Sequence, residues 1–225
     1  MSTLIFNPDA HVEDTSVDGD AMHIIGSPGA SWATFQAGAG THSDDSDTTI
    51  HPRMGAVSTT NRWNRFDRAF LLFDTRDLTA AASIDSATLE IVVTSTVDVF
   101  SASVSLVTTN PAADDDIVNA DYTAHFPSPP VKQALDKTMA SFTADSSTYN
   151  VYTLNATGES KISKTGITKF GLAVTEEMED DEPSWISNGE SRLIVASAEE
   201  TLSGDKRPKL VVVFTLPFTP KVIMF

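Results

Sequence analysis

Trp63 stands in the run Asn61-Arg62-Trp63-Asn64-Arg65-Phe66-Asp67-Arg68, an indole set between guanidinium groups. An indole can stack on a sugar ring while neighbouring guanidinium groups bind its hydroxyls or carboxylates. Arg62, Trp63 and Arg65 are therefore candidates for holding a glycan. Trp185, which follows an acidic run, is a fourth candidate, and Trp32 lies in a long irregular stretch. A tryptophan in a β-sandwich is more often core than platform, and residue type alone leaves both uses open.

Acidic clusters form a second pattern. Glu13, Asp14, Asp18 and Asp20 lie close together, Asp44, Asp45 and Asp47 follow, Asp114 to Asp116 form a third group, and Glu176 to Glu182 contains six acids. Oxygen-rich loops of this kind could hold Ca2+, which takes roughly six to eight hard ligands. None has EF-hand spacing, because Asp14-x-x-x-Asp18-Gly19-Asp20 lacks the closing Glu. An acid run is also simply a solvated surface. Catalysis has little footing: His11, His23, His42, His51 and His125 show no HExxH or H-x-H spacing, and neither a G-x-S-x-G elbow nor a phosphate-cradling Gly loop is present. With 31 acids, a carboxylate pair at a separation suited to glycoside hydrolysis arises by chance, so the expectation is a protein that is not an enzyme.

Composition narrows the partners. The chain of 225 residues carries 31 Asp and Glu against 15 Lys and Arg, a net charge of −16, so phosphate backbones are repelled and nucleic acid is not an expected partner. Without cysteine there are neither disulfides nor thiolate metal sites, and the core must hold the fold unaided. Hydrophobic residues make up 40% of the chain, with 12 Phe and 3 Trp among them, which is enough to build such a core. The N-terminal residues show no signal-peptide pattern, and no apolar run reaches the length of a membrane span. The expected location is a virion released at lysis, the alternative being an extracellular setting reached by another route.

The elements that would position these residues read as strands. Arg68-Ala69-Phe70-Leu71-Leu72-Phe73-Asp74 is apolar on both faces, as in a strand buried within a sandwich. Leu89, Ile91 and Val93 alternate with Glu90, Val92 and Thr94, giving one inward face. Val104 to Val107 is the expected hairpin partner of that strand. Val151 to Leu154, Phe170 to Val174, Leu193 to Val195 and Leu210 to Phe214 follow, each bounded by turn residues. Short helical turns fit Asn119 to His125, Val131 to Met139, and Asn155 to Ile162 with Asn155 as N-cap. Residues 26–60 read as long loops around one or two short strands. The predicted fold is all-β, an antiparallel two-sheet jelly-roll β-sandwich over residues 1–215, with an apolar C-terminal extended arm over 216–225.

Three segments together resemble the DNRLRE domain family, a jelly-roll group related to carbohydrate-binding modules. They are Arg68 to Asp74 continued by Leu78 and Ile84-Asp85-Ser86-Ala87-Thr88-Leu89-Glu90-Ile91, then Ile167 to Leu172, and lastly Ser197 to Glu200 leading into Arg207-Pro208-Lys209-Leu210-Val211-Val212. The likeness runs from about Asp9 to Thr215. It implies a jelly-roll module, often extracellular, used for binding or structure rather than chemistry, with Arg68 as a structural ion-pair or hydrogen-bond donor. It also implies a structural Ca2+ near the meeting of the first and last strands, with Glu13, Asp14 and Glu199 as the metal candidates.

The tail Leu216 to Phe225 carries Phe218, Val222, Ile223, Met224 and Phe225, while Pro217 and Pro220 block a helix or central strand. It either folds back on its own domain or inserts into a neighbouring subunit as an assembly arm. The functional expectation is a non-catalytic structural protein of an assembly: a phage decoration, fibre or tail-associated subunit that also touches glycans. Its expected partners are copies of itself, other virion proteins and a polysaccharide. The alternative is a carbohydrate-binding module for a surface or matrix polysaccharide.

Overall fold

The computed structural model describes residues 1–125 and 130–217. The proposed arm residues Phe218, Val222, Ile223, Met224 and Phe225 lie outside the described residues. Strands take 42% of the chain and helix 13%, and the sheet is antiparallel and not closed into a barrel, in keeping with the all-β sandwich expected from the sequence. Its strands are β1 (Ser2–Phe6), β2 (Asp18–Ile24), β3 (His42–Asp44), β4 (Thr49–Ile50), β5 (Arg53–Ala56), β6 (Trp63–Asp74), β7 (Ser83–Asp98), β8 (Ser103–Thr108), β9 (Lys137–Thr138), β10 (Tyr149–Thr153), β11 (Ile167–Val174), β12 (Glu190–Ala196) and β13 (Lys209–Thr215). The short helices are α1 (Trp32–Ala37), α2 (Ala156–Ser160) and α3 (Thr175–Glu179). Among the described residues no helix is long and apolar enough to cross a membrane.

Two long strands organise the sheet. β7 pairs through Ser83 to Glu90 with β13 and through Thr88 to Val92 with β10, then continues through Val93 to Asp98 beside β12. β6 has β2 along one edge, through Arg65 to Leu71. Along its other edge lie β5, beside residues up to Asp67, and then β11, beside Ala69 to Asp74. A strand so flanked has no free edge, and its side chains must be apolar wherever both faces are covered. Phe70, Leu71, Leu72 and Phe73 are accordingly all fully buried. Phe66 packs on Trp32 and Phe35, Arg68 lies over the Tyr122 ring, and Phe70 meets His125, so this face of β6 is roofed by α1 and the 3₁₀ segment Asn119–Ala124.

Leu89, Ile91 and Val93 are fully buried, as their alternation predicts, and Val92, which the same alternation places on the other face, is fully buried as well. The expected hairpin between that strand and Val104 to Val107 does not form. β8 pairs with β11 and β9, because β13, β10 and β12 already occupy the edges of β7. The turn after Asp98, held by Ala102 N–H on Asp98 Oδ1 at 2.8 Å, therefore carries the chain to a different part of the sheet. Asn155 caps α2 through Gly158 N–H at 2.9 Å, as expected, whereas Val131 to Met139 forms isolated bridges and β9 instead of a helix. Residues 26–60 hold α1 and three short strands, more order than their composition suggests.

Candidate functional site

The connections around Ser31, Asn61 and Asp180 to Trp185 border a surface groove of about 600 Å3, lined by Ser31, Trp32, Asn61, Asp180, Glu182 and Trp185 among others. That volume is in the range of ligand pockets, roughly 300–1,000 Å3. Backbone pairing beside it holds two of these connections together: Ala30 and Trp63 exchange hydrogen bonds of 2.9 and 2.8 Å. Gly29 makes this approach possible, because its φ is positive and a Cβ added there would lie only 2.5 Å from Trp63 O. Asn61 and Asp180 also have positive φ, in the left-handed region that Asn and Asp tolerate best among side-chain-bearing residues. Asp180 thereby ends α3, and Asp181 N–H closes the turn on Glu176 O at 2.9 Å.

Side chains complete the frame. Trp63 Nε1 donates to Glu182 Oε1 at 2.8 Å, and Trp185 Nε1 donates to Arg62 O at 3.3 Å. Behind the groove, Gln36 Nε2 on α1 donates to Glu177 O on α3 at 2.8 Å, tying one wall to the other. Arg68 Nε and Nη2 donate to Glu177 Oε1 at 2.9 and 2.7 Å, and Arg68 Nη1 donates to Tyr122 O. The Tyr122 hydroxyl lies 3.0 Å from both Glu177 Oε1 and Phe35 O, donating to one of them at a time. Burial lifts the Glu177 carboxyl above the usual carboxylate range, and Arg68 beside it offsets part of that. Arg68 thus holds a buried ion pair, the structural role that the resemblance implied for it.

The glycan candidates separate. Trp63 is fully buried, edge-on to Trp32 at 4.8 Å between ring centroids and 5.2 Å from Phe100, so it is core and not a platform. The cause is its place as the first residue of β6 rather than in a loop. Arg65 is spent on Asp67, at 2.7 and 2.8 Å from its two carboxylate oxygens, and on Met22 Sδ. Arg62 remains exposed on the turn, and Trp185, partly buried against the core, lines the groove. Sequence reading did not single out Asn61, Asp180 or Glu182. The available signal was the juxtaposition of the acid run with Trp185.

The metal candidates also separate. Asp14 turns to a different recess with Thr15, Arg76, Asp114 and Asp115. Glu13 instead gathers with His11 and Asp45, one ligand atom of each lying within 4.8 Å of the others. Glu199 joins only indirectly, accepting His11 N–H at 2.8 Å on Oε1. Burial, with Asp45 as a further cause, raises the Glu13 carboxyl, and burial with Asp45 raises Asp116. An imidazole with two carboxylates suits a transition ion at least as well as Ca2+, whose ordinary shell of roughly six to eight oxygens this grouping does not supply.

No family model matches the chain, and no curated protein matches it in sequence.

Proposed function

We propose that this chain is a non-catalytic β-sandwich module that binds carbohydrate in the groove beside Trp185. The observation that carries the reading is the grouping of a partly exposed indole with the carboxamide of Asn61 and the carboxylates of Asp180 and Glu182 around one groove of about 600 Å3. An aromatic face with convergent hydrogen-bonding groups is the chemistry that sugar rings call for. The resemblance of Arg68 to Ile91 and of Ser197 to Val212 to the DNRLRE family points the same way. A glycan array followed by titration calorimetry tests the proposal: binding that Trp185→Ala abolishes supports it. Silence across neutral, acidic and amino polysaccharides, or turnover of a bound glycan, overturns it.

A second reading, a subunit of an assembly such as a phage particle, is favoured by the β1–β13 edge. Met1, Ile5 and Leu216 are 92%, 58% and 54% exposed there, and among the described residues β1 pairs on one side only. An apolar open edge is a natural surface for subunit contact. Light scattering on the full chain and on Ile5→Lys decides it: a defined oligomer that the substitution dissolves supports assembly through this edge, and a monomer, or an oligomer that the substitution leaves intact, refutes it.

A further inference from the structure

We infer that the groove selects glycans bearing free amino groups, an inference that rests on the carbohydrate reading above and narrows its ligand class. The charged side chains lining the groove, Asp180 and Glu182, are both acidic, and among the described residues no Lys or Arg lines it. One oxygen of Glu182 is engaged by the Trp63 indole. The Asp180 side chain is exposed at the groove and has no hydrogen-bond or ion-pair partner among the described residues, so it is open to a cationic ligand. An independent sign of unfinished bonding is Trp32. This lining residue is only 3% exposed, yet its indole N–H has no acceptor among the described residues. A buried donor without a partner is costly, and a sugar hydroxyl or ring oxygen entering after a small shift of the wall would supply one.

A protonated sugar amine fits this set. It would pair with Asp180 and lie against the Trp185 indole, a cation beside an aromatic face. Acidic polysaccharides are disfavoured twice, by the groove's carboxylates and by the chain's net charge of −16. Asn61 supplies a carboxamide that both donates and accepts, suited to a neighbouring hydroxyl.

The test uses the full chain with short glucosamine oligomers, their N-acetylated counterparts of matched length, and uronic acid oligomers, by calorimetry at mildly acidic pH where the amines are charged. The amino oligomers should bind about two- to fivefold more tightly than the acetylated ones, as expected of one exposed charge pair. Asp180→Asn, which keeps a residue tolerant of the left-handed conformation, should erase that difference while leaving weak binding of both. Trp185→Ala should abolish binding of both. Equal affinity for amino and acetylated oligomers overturns this inference and leaves the carbohydrate reading standing. Absence of all binding overturns both. Amino-selective binding that Asp180→Asn leaves intact and that about 0.5 M salt removes is attraction to the acidic surface at large, and it too overturns the inference.

Discussion

Replacing Asp20 by Asn removes a buried ionisation whose energetic weight follows from its surroundings. Asp20 lies on β2 and is 2% exposed. Its oxygens accept the His51 N–H at 2.9 Å, and Oδ2 lies 2.9 Å from His51 Nδ1. Burial outweighs these contacts and lifts the carboxyl from 3.8 to about 6. Between those two values the folded chain holds a proton that the unfolded chain has released, so stability rises as pH falls through this window. At about 1.36 kcal/mol per pH unit the gap amounts to about 3 kcal/mol, absent near neutrality and mostly realised by pH ~4. His125, whose buried imidazole is pushed down to about 3, acts in the opposite sense, its stabilising neutrality being lost as pH falls below 6.5. His125 is present in both proteins and cancels in their difference. Asn keeps an acceptor for the His51 amide, so the variant should fold. Urea unfolding of wild type and Asp20→Asn across this pH range should show wild type gaining about 2–3 kcal/mol relative to the variant on acidification. A difference that stays flat, or grows toward neutral pH, refutes the assignment.

Trp63→Ala should cost about 3–5 kcal/mol in unfolding experiments, whereas Trp185→Ala should cost about 1 kcal/mol or less and act on ligand binding. Comparable losses for both would contradict the division into core and groove. Arg68→Ala strands the Glu177 carboxylate and should destabilise by about 3–5 kcal/mol, measured by chemical denaturation. Because the Gln36 side chain joins α1 to the Glu177 carbonyl of α3, Gln36→Ala should weaken glycan affinity severalfold at pH 7, and unchanged affinity would remove its positioning role. Gly171→Ala places a Cβ 2.6 Å from Ala69 O and 2.5 Å from Thr109 Cγ2. The clash should lower stability by about 1–3 kcal/mol, visible as a fall in Tm. No change in Tm would mean that β6 and β11 approach less closely than described.

Much of the architecture is local and so legible in the residues themselves. Side-chain direction alternates along a strand, and the alternation at Leu89 to Thr94 therefore identifies the inward face before any partner is known. The two-faced apolar run Arg68 to Asp74 marks an interior strand, and Asn155 marks a helix start through a bond to a residue three positions away. Pairing partners are another matter. Val104 to Val107 has the pattern of a partner for β7, and only the complete sheet shows those edges taken and β8 beside β11.

The site shows the same division. An indole flanked by arginines suggests a platform, but whether Trp63 faces solvent depends on Trp32, Phe66 and Phe100 closing around it, and that closure is a matter of tertiary packing. The groove joins Ser31, Asn61 and Asp180 to Trp185, and the pair that braces it, Arg68 with Glu177, is 109 positions apart in the chain. Strand periodicity and cap chemistry act over a few residues and are determined by sequence alone. Which loops meet, and which buried charges find partners, is determined only when packing closes those long separations.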